Sequence, residues 1–328
     1  MIPPGKTLLF ILHMKKIYSI LLLVSLTLVG CSSNDDNPTE AFTLEATGTV
    51  ADQTPEEAKK TINGKWNVGA SSSKFSTAKG QNCTFVGIEF TEDRFAIAID
   101  VAGYDDYAIA YGTYILTEGS DGNVASVDLY ESINGTSYKI ASLTDIVVTE
   151  SGSELNASFD VVFNIPDDYE DWPCGASLSG NYTASKEEPV SGAESASEDS
   201  NFAKLVNTWN AVSYTNSQGA TLADVFNYYC VDEETGERIP DCDSPTTIEV
   251  SFSAYGSYIF SVSDRNGETV EVYVDSWEFN NTDQTEILVD GEQVLTIDEL
   301  TNTRFVATLS EVYEGETFTE TFTFNRAN

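Results

Sequence analysis

The chain is poor in the groups on which most enzymes rely. Its 328 residues include one histidine, His13, which falls within the first 30 residues, a segment laid out like a cleaved signal. The processed chain would therefore carry none, which excludes Ser-His-Asp and Cys-His catalysis, His-ligated zinc and His-based pH switching. Positive charge is scarce too. Sixteen Lys and Arg face 53 Asp and Glu, a net charge of -37, and loss of the three lysines in the leader takes it to about -40. A surface of that sign excludes nucleic-acid binding through the phosphate backbone and is repelled by anionic lipid. The apolar run Ile17 to Val29 is too short to span a bilayer. Five cysteines are few for a chain this long, and none of their spacings is C-x-x-C, which argues against both redox catalysis and a thiolate zinc site.

What is present begins at the N-terminus. From Met14, a more economical start than Met1, the chain reads Lys15-Lys16, then the apolar run, then Gly30-Cys31, the three-part layout of a secretory signal peptide over 1–30. Leu28-Val29-Gly30-Cys31 resembles the lipobox of bacterial lipoproteins, which implies cleavage before Cys31 and a diacylglycerol on its sulfur. The acidic Ser32-Ser33-Asn34-Asp35-Asp36 resembles the export signal of Bacteroidota-type lipoproteins. The resemblance implies a protein anchored in the outer membrane through Cys31 and facing the exterior. Residues 31–56 then read as a lipidated, solvated tether, with six acids and no base over 32–56.

Two modules follow, 57–185 and 201–328, separated by a Ser-, Glu- and Ala-rich linker over 186–200 that lacks aromatic residues and reads as unable to bury surface. The modules share a pattern. Trp66 matches Trp209, Ile88-Glu89-Phe90 matches Ile248-Glu249-Val250, Leu143-Thr144 matches Leu300-Thr301, and Phe163-Asn164 matches Phe324-Asn325, which argues for one fold used twice. Period-two runs such as Phe95–Ile99, Val270–Val274 and Phe318–Phe324, punctuated by Asn134-Gly135, Asn266-Gly267 and Asp290-Gly291, predict antiparallel hairpins throughout. Only Pro55–Asn63 and Asn201–Thr208 read as helical, each just before its module's first tryptophan. An all-β chain of this kind forms closed barrels or sandwiches.

Gly64-Lys65-Trp66, and Asn207-Thr208-Trp209 after it, resemble the G-x-W that opens the first lipocalin strand. The resemblance implies two tandem antiparallel lipocalin-like barrels with Trp66 and Trp209 on the barrel floors. Immunoglobulin-like sandwiches are the alternative, although there a buried tryptophan should fall between the core cysteines, and Trp66 precedes both Cys83 and Cys174. With Cys31 committed to lipid, two cysteines remain per module. Even pairing outside the cytoplasm suggests Cys83 with Cys174 and Cys230 with Cys242, other connectivities being open.

Catalysis would have to use a carboxylate pair, and no pair stands out among 53 acids. The expectation is therefore a non-catalytic binding protein for a small apolar or saccharide ligand. The candidate contacts are Trp172 and Trp277, each set among polar residues, and Phe226, Tyr228 and Tyr229 in the long segment Val212 to Pro245. A structural or protein-interaction lipoprotein with solidly filled barrels is the alternative, and a carboxylate-dependent glycosidase a distant third. Asp232, Glu233, Glu234, Glu237 and Asp241, between Cys230 and Cys242, crowd like charges that Ca2+ could relieve, although their spacing is not that of an EF-hand. No organic cofactor and no nucleic-acid partner are expected; ligand identity and oligomeric state stay open.

Overall fold

The computed structural model describes residues 46–69, 83–91, 93–103, 107–133, 135–152, 154–164, 174, 178–191, 193, 196–197, 199–232, 235, 237–239, 242, 244–313 and 316–327. Seventeen strands among these residues fall into two groups. β2 (Gly64–Gly69), β3 (Cys83–Phe90), β4 (Arg94–Val101), β5 (Ala108–Glu118), β6 (Val124–Ile133), β7 (Thr136–Ser151), β8 (Glu154–Phe163) and β9 (Gly180–Lys186) pair antiparallel in chain order, and β9 returns to β2. β10 (Thr208–Asn216), β11 (Thr247–Phe252), β12 (Ser257–Ser263), β13 (Thr269–Phe279), β14 (Glu286–Val289), β15 (Gln293–Leu300), β16 (Arg304–Tyr313) and β17 (Glu316–Arg326) close the second barrel in the same way. Both modules are thus eight-stranded, up-and-down, lipocalin-like barrels, and the sandwich alternative is excluded. Closure pairs the strands around each barrel, which is why so many short strands are stable together.

Each floor is stoppered by a helix. α1 (Pro55–Ile62) starts with Pro at its first position and a reciprocal Thr54/Glu57 capping box, in which the Thr54 N–H donates to Glu57 Oε2 at 3.0 Å, and it buries Ala58, Thr61 and Ile62. α2 (Asn201–Leu205) is capped by Ser200 Oγ, which accepts from the Ala203 N–H at 3.1 Å, and buries Phe202 and Leu205. In both barrels the first-strand indole hangs from the last turn of its helix. Trp66 Nε1 donates to Ile62 O at 2.8 Å and Trp209 Nε1 to Leu205 O at 3.0 Å, so each ring is satisfied while fully buried. Opposite each tryptophan, on the closing strand, stands a cation: Lys186 across from Trp66 and Arg326 across from Trp209.

The structure corrects the repeat beyond the tryptophans. Trp66 pairs with Ile88 but Trp209 with Val250, so Ile88 is equivalent to Val250 and the alignment of Ile88 with Ile248 is two residues out. Leu143 lies in the middle of β7 whereas Leu300 ends β15, and Phe163 ends β8 whereas Phe324 lies in β17. Those two matches are therefore not equivalent positions. Period-two strands offer many apolar coincidences, and only a residue with a unique partner fixes register.

Two further expectations are corrected. The solvated tether ends earlier than residue 56: β1 (Gly48–Thr49) pairs with Val147–Val148 of β7, Val50 is buried, and α1 begins at Pro55. The linker also buries surface, because Ala193 and Ala196 pack into the second core and the Val190 N–H donates to Ala254 O at 2.9 Å. Small side chains suffice there because the strand-end turn of the second barrel supplies the surface.

Candidate functional site

The barrel interiors are occupied by side chains. In the first, Phe85 meets Phe159, Phe163 and Tyr182 edge-on at 6.3, 6.1 and 5.1 Å. In the second, Phe252 touches Tyr258, Trp277 and Phe305, and Phe260 stacks on Tyr273 at 4.8 Å. Fully burying one such ring stabilises by about 1.5–3 kcal/mol, so clearing either interior for a ligand would be costly. Trp277, expected to be open to ligand, is 2% exposed beneath the α2 stopper, stacked on Phe202, with its Nε1–H donating to Ser253 O at 2.9 Å. Trp172 lies outside the described residues.

A third helix, α3 (Leu222–Tyr228), which the sequence reading leaves as loop, crosses the far end of the second barrel. Its signal is nonetheless local: Thr221 and Asp224 form a capping box, and Leu222, Val225, Phe226 and Tyr229 share the i, i+3, i+4, i+7 face that packs on the core. Phe226 and Tyr229 are half-buried in that face, and Tyr229 donates to Glu271 Oε2 at 2.7 Å. Burial, then the Glu271 charge, push the Tyr229 hydroxyl well above its ordinary pKa. Tyr228 is half-buried. Two of the three proposed ligand aromatics therefore serve as a plug. The structure contains the disulfides Cys83–Cys174 and Cys230–Cys242, the second closing the loop behind α3. Within that loop Asp232 Oδ1 accepts from Thr235 N and Oγ1, both at 2.7 Å. Glu233, Glu234 and Asp241 lie outside the described residues, and no cluster of three metal-ligating side chains, Glu237 included, occurs among those described.

Open space is found instead between the barrels. A groove of about 700 Å3 separates the outer face of β2–β5 from β13, lined among others by Lys65, Asn67, Tyr107, Glu187, Asp275 and Asp290. On the β13 side of it, β14 pairs only with Trp277–Phe279, so Thr269–Ser276 have β12 as their one ladder neighbour. Tyr107 is 61% exposed at its rim. Lys65 pairs with Glu187 at 3.1 Å, and Asn67 Nδ2 donates to Glu187 Oε1 at 2.9 Å. Burial, then the neighbouring Asp290 charge, push the Asp275 carboxyl up to about 6.

The two barrels also share a buried interface that sequence reasoning missed. Arg94 on β4 reaches Glu249 on β11 through Nε and Nη2, both at 3.1 Å, and the Tyr111 hydroxyl donates to the same carboxylate. Ala96, Tyr111 and Ile259 pack around it with Val272 and Val274. Burial alone would lower the Arg94 pKa, but hydrogen bonding to Glu249 and its charge outweigh it and raise it. Burial and then the Glu249 charge raise that of Tyr111. Glu89, buried beside Ser253 and Ser257 of the second barrel, is pushed up by burial, and its Oε1 has no hydrogen-bond partner. Nothing in the sequence ties Arg94 to a residue 155 positions on.

No protein-family model matches the chain, and no curated protein matches it. Among solved structures it is similar to bovine odorant-binding protein in complex with its natural ligand, at 21% identity over 40% of this chain and 76% of that chain, with a TM-score of 0.24. The same protein in complex with a selenium-containing odorant is similar at 20% identity over 40% and 74%, also with a TM-score of 0.24.

Proposed function

We propose that the chain is a non-catalytic, surface-anchored binding lipoprotein, tethered in the outer membrane through Cys31, that takes a small saccharide or apolar ligand in the groove between its two barrels. The observation that carries this reading is the contrast between interiors occupied by packed rings and an inter-barrel groove of about 700 Å3, within the range of small-molecule sites. An exposed tyrosine beside amide and carboxylate groups suits a sugar, whose apolar face stacks while its hydroxyls are hydrogen-bonded. The test is an array of glycans and fatty acids probed with wild type, Tyr107→Ala and a Tyr228→Ala, Tyr229→Ala double variant. The expected outcome is binding abolished by Tyr107→Ala and kept by the double variant; the reverse would move the site to the barrel mouth, and hydrolysis of any array member would overturn the non-catalytic reading. The filled interiors favour a second reading, a structural or protein-interaction lipoprotein, which an array without a single bound member would support.

A further inference from the structure

A second cleft, of about 470 Å3, lies at the floor of the molecule between the two stopper helices. Its charge is opposite to that of the chain. Lys59 and Lys60 of α1 and Arg326 of β17 line it together with Asn63, Thr91 and Asn302, and none of the described residues lining it is Asp or Glu. In a chain with 53 acids and 16 bases, three cations lining one cleft with no Asp or Glu among its described lining residues are unexpected. Neither Lys59 nor Lys60 forms an ion pair among the described residues. The nearby Glu57 accepts through Oε2 from the Thr54 N–H at 3.0 Å and the Thr54 hydroxyl at 2.8 Å, and its charge also interacts with Lys60. Arg326 stands across from Trp209 in the ladder and adds charge at the cleft wall.

We propose that this floor cleft binds an oxyanion of the phosphate class, with Lys59 and Lys60 as the cationic contacts and neutral amide and hydroxyl groups around them. The global charge does not forbid it: at physiological salt, charges more than about 8 Å away are largely screened, so the local sign decides. Two sources share the chemistry, a free phosphate and a phospholipid headgroup. The described chain begins at residue 46 and reaches the first barrel at β1, which pairs with the floor end of β7, so the cleft and the incoming chain share one end of the molecule.

The experiment uses the full chain carrying Cys31→Ser, so that no lipid anchor contributes. Calorimetric titration with inorganic phosphate at 0.15 M salt, and co-sedimentation with phosphatidylglycerol/phosphatidylcholine vesicles, are compared for this protein, a Lys59→Gln, Lys60→Gln variant and a charge-matched Lys139→Gln, Arg265→Gln variant. The expected result is binding in at least one arm, about tenfold weaker in the first variant and unchanged in the second. Phosphate heats would identify a free anion, and vesicle binding alone a headgroup. No binding in either arm, or equal weakening by both variants, would overturn the proposal.

Discussion

At the scale of single residues, the most consequential contact is the Arg94–Glu249–Tyr111 triad, because it joins the two barrels through a charge removed from water. Breaking such a pair from one side leaves the other charge stranded and costs about 3–5 kcal/mol, whereas loss of a neutral hydroxyl donor costs about 1–3 kcal/mol. Arg94→Ala is therefore expected to destabilise the protein several times more than Tyr111→Phe in urea unfolding, with Arg94→Ala separating one transition into two. Equal, small effects would mean that the interface contributes little. The two floor tryptophans make a paired expectation. Trp66→Phe and Trp209→Phe each leave a buried carbonyl unpaired, so each should cost about 1–3 kcal/mol, by the same mechanism in both barrels. These tryptophans were legible in the sequence because each follows a helical segment and sits in a G-x-W-like triplet repeated in both modules. The triad was not, because its members belong to different modules and each reads alone as an ordinary surface residue.

At the scale of elements, α3 shows what periodicity alone misses. Its seven residues are too few to display a helical repeat against the strand-rich background, yet the Thr221/Asp224 capping box and the Leu222–Val225–Phe226–Tyr229 face were both readable. Asp224→Ala removes the carboxylate that accepts from Thr221 N and Oγ1 and should cost about 1 kcal/mol. Because α3 packs at a barrel end, the same change is expected to raise proteolysis between residues 217 and 246 without altering the barrel cores, and unchanged cleavage would contradict the plug. The linker is the converse case. Its composition reads as solvated, but buried Ala193 and Ala196 show that a segment can be ordered by the surface it crosses. The repeat misled in a third way: alternating apolar residues recur so often that two of the four matched pairs fell on non-equivalent strand positions and one was two residues out.

At the scale of the whole molecule, buried acids set the pH dependence. Between the ordinary carboxylate range near pH 4 and the value of about 6 held by Asp275, the native state keeps a proton that the unfolded chain has released. Stability therefore falls as pH rises through that window. Buried Glu89 and Glu320, also pushed up by burial, act in the same direction. Asp128, held below its ordinary 3.8 because hydroxyl hydrogen bonds and Lys139 outweigh its burial, loses its contribution only at more acid pH. The melting temperature should thus be higher at pH 5 than at pH 7.5, and Asp275→Asn should flatten the slope; an unchanged slope would remove Asp275 from the account. The proposed binding site exists only where the two barrels face each other. Its most direct test is equilibrium binding of an array ligand to the intact chain, compared with folded first-barrel (46–186) and second-barrel (187–328) fragments, alone and mixed. Binding is expected by the intact chain and by neither fragment alone. Full affinity in a single barrel would contradict it.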